Sequence, residues 1–174
     1  ANIILTGFSG TGKSLVAKEV AQRLSWDFID TDEEIVKQAG KPIAGIFQQD
    51  GEKKFRELEH EVIERACQQE QVVIAIGGGA IVDPRNYELL AKNGFLVCLE
   101  AKPETIYQRL FRGAIYVPEP EVRPLLSTNN PLKHIRQLKA QRQPYYANAD
   151  WTIHTDRLNI SQVAEEVIRG WRLL

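Results

Sequence analysis

Two patterns of hydrophobic residues alternate along the chain: short continuous runs, and residues repeated at helical spacing. Short continuous apolar runs, typical of strands buried in a parallel sheet, end at Leu5, Ile29, Ile76, Leu99 and Ile153. Between these runs, apolar residues recur every three or four positions, which predicts amphipathic helices. The predicted helices cover residues 13–24, 33–39, 43–49, 51–69, 84–93 and 103–111, with two more beginning near 132 and at a cap on Ser161. The alternation predicts an α/β fold, a parallel sheet with helices on both faces.

A glycine-rich stretch joins the first predicted strand to the first predicted helix. It reads Gly7-Phe8-Ser9-Gly10-Thr11-Gly12-Lys13-Ser14, the spacing G-x-x-x-x-G-K-S. Between a strand and a helix, this spacing surrounds a phosphate with backbone N–H groups and adds the positive helix dipole. Lys13 supplies a mobile positive charge, and the Ser14 hydroxyl is a ligand suited to Mg²⁺. The stretch therefore predicts a nucleoside triphosphate site, with a ligand-free glycine-rich turn as the alternative.

Two further strand ends carry polar or glycine signals. Asp30 and Asp32 follow the second predicted strand, and residues 77–79, all glycine, follow the third. Because the carboxyl ends of parallel strands share one edge, these signals and the glycine-rich stretch predict a single site. One aspartate could hold Mg²⁺ through water, and the other could accept a proton from an acceptor hydroxyl. Capping of the next helix is the alternative and explains one of them well.

Three arginines outside the glycine-rich stretch are candidate anion ligands. Arg56 lies three positions before Glu59, so the two form either a structural ion pair or a guanidinium oriented towards the site. Arg123 falls in a proline-rich segment at about 111–124 that predicts a lid, where an arginine could neutralise charge at the γ-phosphate. Arg142 precedes Pro144 and two tyrosines, with a solvated surface role as its alternative.

Composition narrows the classes of function. The 174 residues suit one domain, and a formal net charge of −1 gives no electrostatic reason to expect a nucleic acid or membrane partner. The chain has no apolar run of membrane-spanning length and no N-K-x-D segment for reading guanine. Cys67 and Cys98 lie in apolar surroundings and predict small core residues in a reducing compartment. We expect a cytoplasmic location, or the plastid stroma if a transit segment was removed.

Taken together, the motifs resemble those of the shikimate kinase family over nearly the whole chain. The matching segments are G-F-S-G-T-G-K-S, F-I-D-T-D, I-F-x-x-x-G-E-x-x-F-R-x-x-E, G-G-G-A-I, R-P-L-L and R-x-P-Y-Y, in family order. The resemblance implies the P-loop fold of nucleoside monophosphate kinase type, with a five-stranded parallel sheet in the order 2-3-1-4-5, and a monomer. It implies ATP- and Mg²⁺-dependent phosphorylation of the 3-hydroxyl of shikimate, in chorismate and aromatic amino acid biosynthesis.

The resemblance also implies a role for each matching position. The ATP-binding residues are Gly7, Ser9, Gly10, Thr11, Gly12, Lys13, Ser14, Leu15, Arg112 and Arg123. The shikimate-binding residues, mainly in a segment at about 30–60, are Asp32, Phe47, Phe55, Arg56, Gly77, Gly78, Gly79 and Arg142. Lys13, Asp32 and Arg123 are implied to be catalytic, while Ser14, and Asp30 through water, hold the magnesium ion. Either Arg112 or Arg109 could stack on adenine.

Two departures from the family pattern leave alternatives open. Ala75 and Ile76 stand where many members carry Ser or Thr, which removes a hydroxyl that could help the metal's water shell. The lid is longer than usual. The alternatives are another small-molecule P-loop kinase, such as a gluconate kinase, and a catalytically silent relative that binds a partner. ADP release from ATP with shikimate or with gluconate separates the three.

Overall fold

Residues 1–112 and 128–174 are described in the computed structural model of the chain, where strands and helices alternate. The strands are β1 (Asn2–Gly7), β2 (Asp27–Asp30), β3 (Val72–Ala75), β4 (Gly94–Glu100) and β5 (Trp151–His154). The helices are α1 (Lys13–Leu24), α2 (Thr31–Ala39), α3 (Ile43–Asp50), α4 (Glu52–Ala66), α5 (Pro84–Asn93), α6 (Pro103–Arg112), α7 (Pro131–Tyr146) and α8 (Ile160–Arg172). A short 3₁₀ helix, Ala80–Val82, follows the three glycines. Residues 111–112 of the predicted lid end α6, and the rest of the lid, with Arg123, lies outside the described residues.

The five strands form one parallel sheet in the order β2-β3-β1-β4-β5, as predicted. Every pairing is parallel, and the central strand β1 places Leu5 beside Ala75 of β3 and Val97 of β4. Because β2, β3 and β1 are neighbours, the segments that follow them emerge side by side at one edge of the sheet. These segments are the ones that carry the aspartates, the three glycines and the glycine-rich stretch.

The side chains of β1 alternate between two cores, as the period of a strand requires. Ile3 and Leu5 pack against α1 and α8, whereas Ile4 packs on the opposite face with residues of α4, α5, α6 and α7. All three are completely buried. Each such side chain stabilises the fold by about 1.5–3 kcal/mol, so the sheet is held firmly on both faces.

A third, smaller cluster holds α2 and α3 against α4. Its buried members are Ile35, Ile46, Phe55, Leu58 and Val62. The helical spacing in α4 places Phe55, Leu58 and Val62 on one stripe, which is the face that α2 and α3 cover. Arg56 directly follows Phe55 in α4, and its guanidinium lies 5.2 Å from the centre of the Phe55 ring, so the packing of this small cluster helps to place that arginine.

Local hydrogen bonds explain where the structure differs from the predicted boundaries. The last helix is capped by Asn159, so the prediction of Ser161 was wrong: Asn159 accepts from the Gln162 N–H at 2.8 Å, and the Gln162 side chain accepts from the Asn159 N–H at 2.9 Å. Such a reciprocal box satisfies two helix-end donors at once. Helix α2 begins at Thr31, two residues before the predicted start, because Asp30 caps it.

Candidate active site

The glycine-rich stretch forms a tight loop between β1 and α1, which we call the phosphate loop (residues 7–14). Gly7 has φ of +136°, and a Cβ built there would lie 2.3 Å from the Leu99 carbonyl oxygen of β4. Gly12, the N-cap of α1, has φ of +86°, in the left-handed region that favours glycine. The loop therefore needs glycine at these positions for steric and conformational reasons, and it leads directly into the N-terminus of α1.

Side chains within the loop bind its own carbonyl groups. The Thr11 hydroxyl donates to the Phe8 carbonyl at 2.7 Å, and the Lys13 ammonium donates to the Gly7 carbonyl at 2.5 Å and the Phe8 carbonyl at 3.2 Å. Ser9 and Thr11 are buried, whereas Lys13, Ser14 and Leu15 are half-buried. The Lys13 charge thus lies against the loop itself, next to the helix N-terminus where the sequence predicts phosphate binding.

The phosphate loop is joined to β2 by one short hydrogen bond between oxygen atoms. The Ser14 hydroxyl donates to Asp30 Oδ2 at 2.6 Å. The other carboxylate oxygen of Asp30 accepts from the backbone N–H groups of Asp32 at 2.9 Å and Glu33 at 3.3 Å. Asp30 is therefore both the cap of α2 and a partner of Ser14. The hydrogen bond to Asp30 fixes the backbone of Asp32 in the first turn of α2.

The three glycines after β3 lie among four charged side chains. A Cβ built on Gly77 would lie 3.2 Å from Asp32 Oδ1 and 3.2 Å from Glu59 Oε2. A Cβ built on Gly79 would lie 2.7 Å from a terminal nitrogen of Arg56 and 3.2 Å from one of Arg142. Side chains from α2, α4 and α7 thus converge on one bare stretch of backbone. We call these four side chains and residues 77–79 the acceptor pocket.

Both arginines of the acceptor pocket are held by named contacts. Arg56 donates to Glu59 Oε1 at 2.9 Å, so the ion pair suggested by their spacing is present, and Glu59 is only 1% exposed. Arg142 is 5% exposed, and its guanidinium lies 5.4 Å from the centre of the Phe8 ring in the phosphate loop. A surface role for Arg142 is therefore wrong. Guanidinium groups held in place in this way are suited to binding a carboxylate through two parallel hydrogen bonds.

The two predicted wall residues form an aromatic pair next to Arg56. The ring centres of Phe47 and Phe55 are 4.7 Å apart, and the Arg56 guanidinium lies 5.2 Å from the centre of the Phe55 ring. Phe55 is buried in the small cluster under α4, while Phe47 is half-buried. Direct contact of the two rings with a substrate stays a prediction.

Other residues singled out in the sequence are placed as follows. The side chain of Arg112, like Arg123, lies outside the described residues. Arg109 contacts the phosphate loop, donating to the Gly10 carbonyl at 3.1 Å. Ala75 and Ile76 are both buried, on opposite faces of the sheet. The hydroxyl that many family members have at these positions is replaced by apolar side chains that pack into the two cores.

Two contacts of the site involve residues to which the sequence analysis had assigned no such role. The Tyr146 hydroxyl donates to the Gly78 carbonyl at 2.7 Å, although Tyr146 entered the analysis only as a letter in R-x-P-Y-Y. Its position four residues after Arg142 places both side chains on one face of α7, a signal that was available. The contact of Arg109 with Gly10 joins residues 99 positions apart and has no local sequence signal.

Three other features were sought in the part of the chain that the structure describes: a reactive cysteine, a cluster of metal ligands and a membrane-spanning helix. Both cysteines are buried and free, and burial raises the pKa of the Cys67 thiol to about 11 and raises that of Cys98 further, so neither is an activated nucleophile. Among residues 1–112 and 128–174, no group of three or more His, Cys, Asp or Glu side chains is placed to hold a metal. Nor does this part of the chain contain a helix long and apolar enough to cross a membrane.

Comparison with known proteins agrees with the geometry. The sequence profile of the family described as shikimate kinase matches residues 9–171. The shikimate kinase of Caldanaerobacter subterraneus subsp. tengcongensis is 44% identical over 170 residues, covering 98% of this chain and 95% of that protein. A solved structure of shikimate kinase from Acinetobacter baumannii in complex with shikimate is 34% identical with a TM-score of 0.87, covering 97% of this chain and 90% of that one.

A more distant likeness concerns the fold alone. The gluconokinase of Sinorhizobium meliloti has a TM-score of 0.61 and 16% identity, covering 99% of this chain and 92% of that one. The sheet order and the phosphate loop thus belong to the P-loop fold of nucleoside monophosphate kinase type. The sequence profile and the relatives that are more than 40% identical identify a family, whereas the likeness to gluconokinase shows only a shared fold. The chain belongs to the shikimate kinase family.

Proposed function

We infer that this chain is an ATP-dependent shikimate kinase of aromatic amino acid biosynthesis, and we propose that it phosphorylates the 3-hydroxyl of shikimate. The observation that carries the proposal is the acceptor pocket beside the phosphate loop. Two carboxylates, Asp32 and Glu59, and two guanidinium groups, Arg56 and Arg142, surround Gly77 and Gly79. An acceptor that is an anionic, hydroxylated small molecule would use both signs of charge.

The arginines are suited to hold the carboxylate of the acceptor. Arg142 is nearly completely buried, and Arg56 is braced by Glu59 and by Glu52 at 3.6 Å, so both guanidinium groups are preorganised. A bidentate, charge-assisted contact with a carboxylate adds geometric specificity to its attraction. The bare backbone of the three glycines would let the ring of the acceptor approach the main chain closely beside the arginines.

Asp32 is the better of the two aspartates for the role of base. Both oxygens of Asp30 are already engaged, one by the Ser14 hydroxyl and the other by the N-terminus of α2. Asp32 Oδ1 lies in the acceptor pocket, 3.2 Å from the position that a Cβ on Gly77 would take. We propose that its carboxylate orients the acceptor hydroxyl and takes its proton as the phosphoryl group is transferred.

The residues around Ser14 fit a magnesium ion that is held mainly by phosphate oxygens. Ser14 and Asp30 present adjacent oxygen atoms, and the described residues contain no dedicated protein cage. This is the arrangement expected for Mg²⁺, which keeps several waters and binds few protein ligands. Ser14 would hold the ion directly and Asp30 through water, and the ion would neutralise charge on the β- and γ-phosphates. Lys13, and Arg123 from the lid, would add positive charge there.

The test is ADP release from Mg-ATP with and without shikimate, in the parent chain and in Asp32→Asn. We expect release that depends on shikimate in the parent, and a fall in kcat of about 10²–10⁴-fold in the variant, because the amide cannot take the proton. The KM for ATP should change less than kcat, because the proposed loss is in proton transfer from the acceptor. Asp27→Asn, the same change at an exposed position at the opposite end of β2, is the matched control.

Two outcomes would contradict the proposal. ADP release with gluconate but not with shikimate would overturn the choice of acceptor. Turnover of Asp32→Asn within a few-fold of the parent would remove Asp32 from the chemistry and leave the reaction assignment intact. Because all four charged side chains of the acceptor pocket come from a single chain, we also expect the protein to be active as a monomer.

A further inference from the structure

Arg109, a half-buried residue of α6, makes three hydrogen bonds that no catalytic motif accounts for. One terminal nitrogen donates to the Gly10 carbonyl at 3.1 Å and to the Thr155 hydroxyl at 3.0 Å. The other donates to the Thr155 carbonyl at 2.8 Å. Gly10 is in the phosphate loop, and Thr155 directly follows β5. We call these three residues the Arg109 junction.

Thr155 is itself fixed to the sheet. Its backbone N–H donates to the carbonyl of Glu100 at 2.8 Å, and its hydroxyl donates to the same oxygen at 3.1 Å. Thr155 is 1% exposed. The guanidinium of Arg109 is therefore held by Thr155, which is itself bound to the carboxyl end of β4, and its third hydrogen bond goes to the phosphate loop.

The neighbouring residue holds the start of the same helix. Asp156 accepts from the Lys102 N–H at 2.9 Å and from the Thr105 hydroxyl at 2.6 Å. Burial raises the pKa of Asp156, but these hydrogen bonds outweigh that effect and leave the pKa below its ordinary value, so the carboxylate is charged at neutral pH. Two successive residues after β5 thus anchor α6 at its beginning and one turn later.

Helix α6 also packs directly on the phosphate loop. A Cβ built on Gly10 would lie 3.5 Å from side-chain atoms of Ile106 and of Leu110, both of which are buried. The loop therefore contacts α6 at Gly10, and the hydrogen bond from Arg109 is made at the same point. Packing and hydrogen bonding from α6 thus both act on this part of the loop.

We propose that Arg109 is a positioning residue that holds the Gly10–Thr11 peptide in the orientation that binds the polyphosphate of ATP. The carbonyl of a peptide group and the N–H of the following residue point in opposite directions, so a cation on the Gly10 carbonyl leaves the Thr11 N–H to face the phosphate side. A charged donor also polarises the peptide group, which makes that N–H a stronger donor. The proposal rests on the proposed binding of ATP at this loop.

The role differs from stacking on adenine, which sequence analysis left open for Arg109. Stacking would act on the base, whereas the Arg109 junction acts on the loop that surrounds the phosphates. Inorganic tripolyphosphate has the phosphates and no base, so it separates the two roles. A variant that disturbs the loop weakens the binding of tripolyphosphate and ATP alike, and a variant that removes a stacking partner weakens only the binding of ATP.

The experiment measures the dissociation constants of tripolyphosphate and of ATP by titration calorimetry for the parent, Arg109→Gln and Arg109→Lys. We expect both constants to rise by on the order of tenfold or more in Arg109→Gln, because a charge-assisted bond is lost. Arg109→Lys, which can reach one of the two partners but lacks the fork, should recover part of the loss. The KM for shikimate at saturating ATP should change less than about twofold.

Arg136→Gln is the matched control, since exposed Arg136 on α7 pairs with Glu104 of α6 and touches neither Gly10 nor Thr155. It should leave both dissociation constants unchanged. A loss of ATP affinity with tripolyphosphate unaffected would overturn the proposal in favour of stacking. A lowered unfolding temperature with unchanged dissociation constants would overturn it in favour of a purely structural contact. Calorimetry needs no acceptor, so this result stands even if the parent fails to phosphorylate shikimate.

Discussion

The phosphate loop and the acceptor pocket differ in whether backbone or side chains form them. The phosphate loop is made of backbone from one continuous stretch, residues 7–14, whose shape depends on glycines such as Gly7 with φ of +136°. The acceptor pocket is made of side chains from α2, α4 and α7 that converge on Gly77 and Gly79. In the proposed reaction, the backbone would recognise a group that every ATP carries, whereas side chains of both charges would recognise one particular acceptor.

The difference predicts different consequences of the same mutation. A methyl group added at Gly7 of the phosphate loop meets main-chain atoms of the sheet, which cannot move without disrupting the strands. A methyl group added to the acceptor pocket meets the ends of long side chains, which can swing away while the fold persists. Glycine-to-alanine changes therefore probe the comparison directly, because the chemical change is the same in each.

The largest effect is expected for Gly7→Ala. The new Cβ would lie 2.3 Å from the Leu99 carbonyl oxygen, and φ of +136° is strained for any L-residue. We expect the variant to unfold at a much lower temperature than the parent, or to remain unfolded, and to lose ATP binding. Circular dichroism during heating and calorimetry with ATP are the measurements.

Gly40→Ala is the control for the strain component of that effect. Gly40 also has positive φ, +70°, but a Cβ there has nothing within 4 Å. The left-handed conformation alone should destabilise this variant by about 1–2 kcal/mol and leave ATP binding intact. If Gly7→Ala were no worse than Gly40→Ala, close packing of the phosphate loop against β4 would not be what makes glycine necessary.

A smaller effect is expected for Gly79→Ala in the acceptor pocket. The new methyl group would approach a terminal nitrogen of Arg56 at 2.7 Å and one of Arg142 at 3.2 Å. Both guanidinium groups end flexible side chains, so we expect a folded protein whose KM for shikimate rises by about ten- to a hundredfold, the scale of a displaced charge-assisted contact. The KM for ATP should stay near that of the parent.

Steady-state kinetics with each substrate varied in turn measures that separation. Gly45→Ala, within α3, is the matched control, because the nearest atom to its new Cβ would be at an ordinary contact distance of 3.8 Å. An equal rise in both KM values for Gly79→Ala would contradict the division into a phosphate loop and an independent acceptor pocket.

The same division explains what the sequence could predict. The phosphate loop was recognisable without any family, because its residues are contiguous and flanked by a strand and a helix. The order of the sheet came from the family resemblance, since alternation alone says that strands are parallel and leaves their order open. The capping role of Asp30 was available from its position before α2, and the structure adds that its second oxygen binds Ser14.

Contacts between residues far apart in the sequence could not be predicted from the local sequence pattern. Arg109 lies on a helix surface where an arginine ordinarily faces solvent, and only the tertiary fold brings it to Gly10. Arg142 was equally compatible with a surface role from its spacing, and the fold buries it next to Phe8. Local periodicity predicts which face of a helix is apolar, but it does not predict which polar side chain another element will cover.

The smallest effect is expected for Tyr146→Phe, at the contact that joins α7 to the three glycines. The variant loses the 2.7 Å hydrogen bond to the Gly78 carbonyl and keeps the buried ring. A neutral hydrogen bond contributes about 1 kcal/mol, which corresponds to roughly fivefold in a binding constant. We therefore expect a several-fold rise in the KM for shikimate, because the bond that joins α7 to the Gly78 carbonyl in the acceptor pocket is lost, with little change in the KM for ATP. Tyr145→Phe, the same change at a partly exposed neighbour, should alter neither constant. If Tyr146→Phe lowered the unfolding temperature without changing the KM for shikimate, its hydroxyl would serve the core of the protein and the acceptor pocket would keep its shape without it.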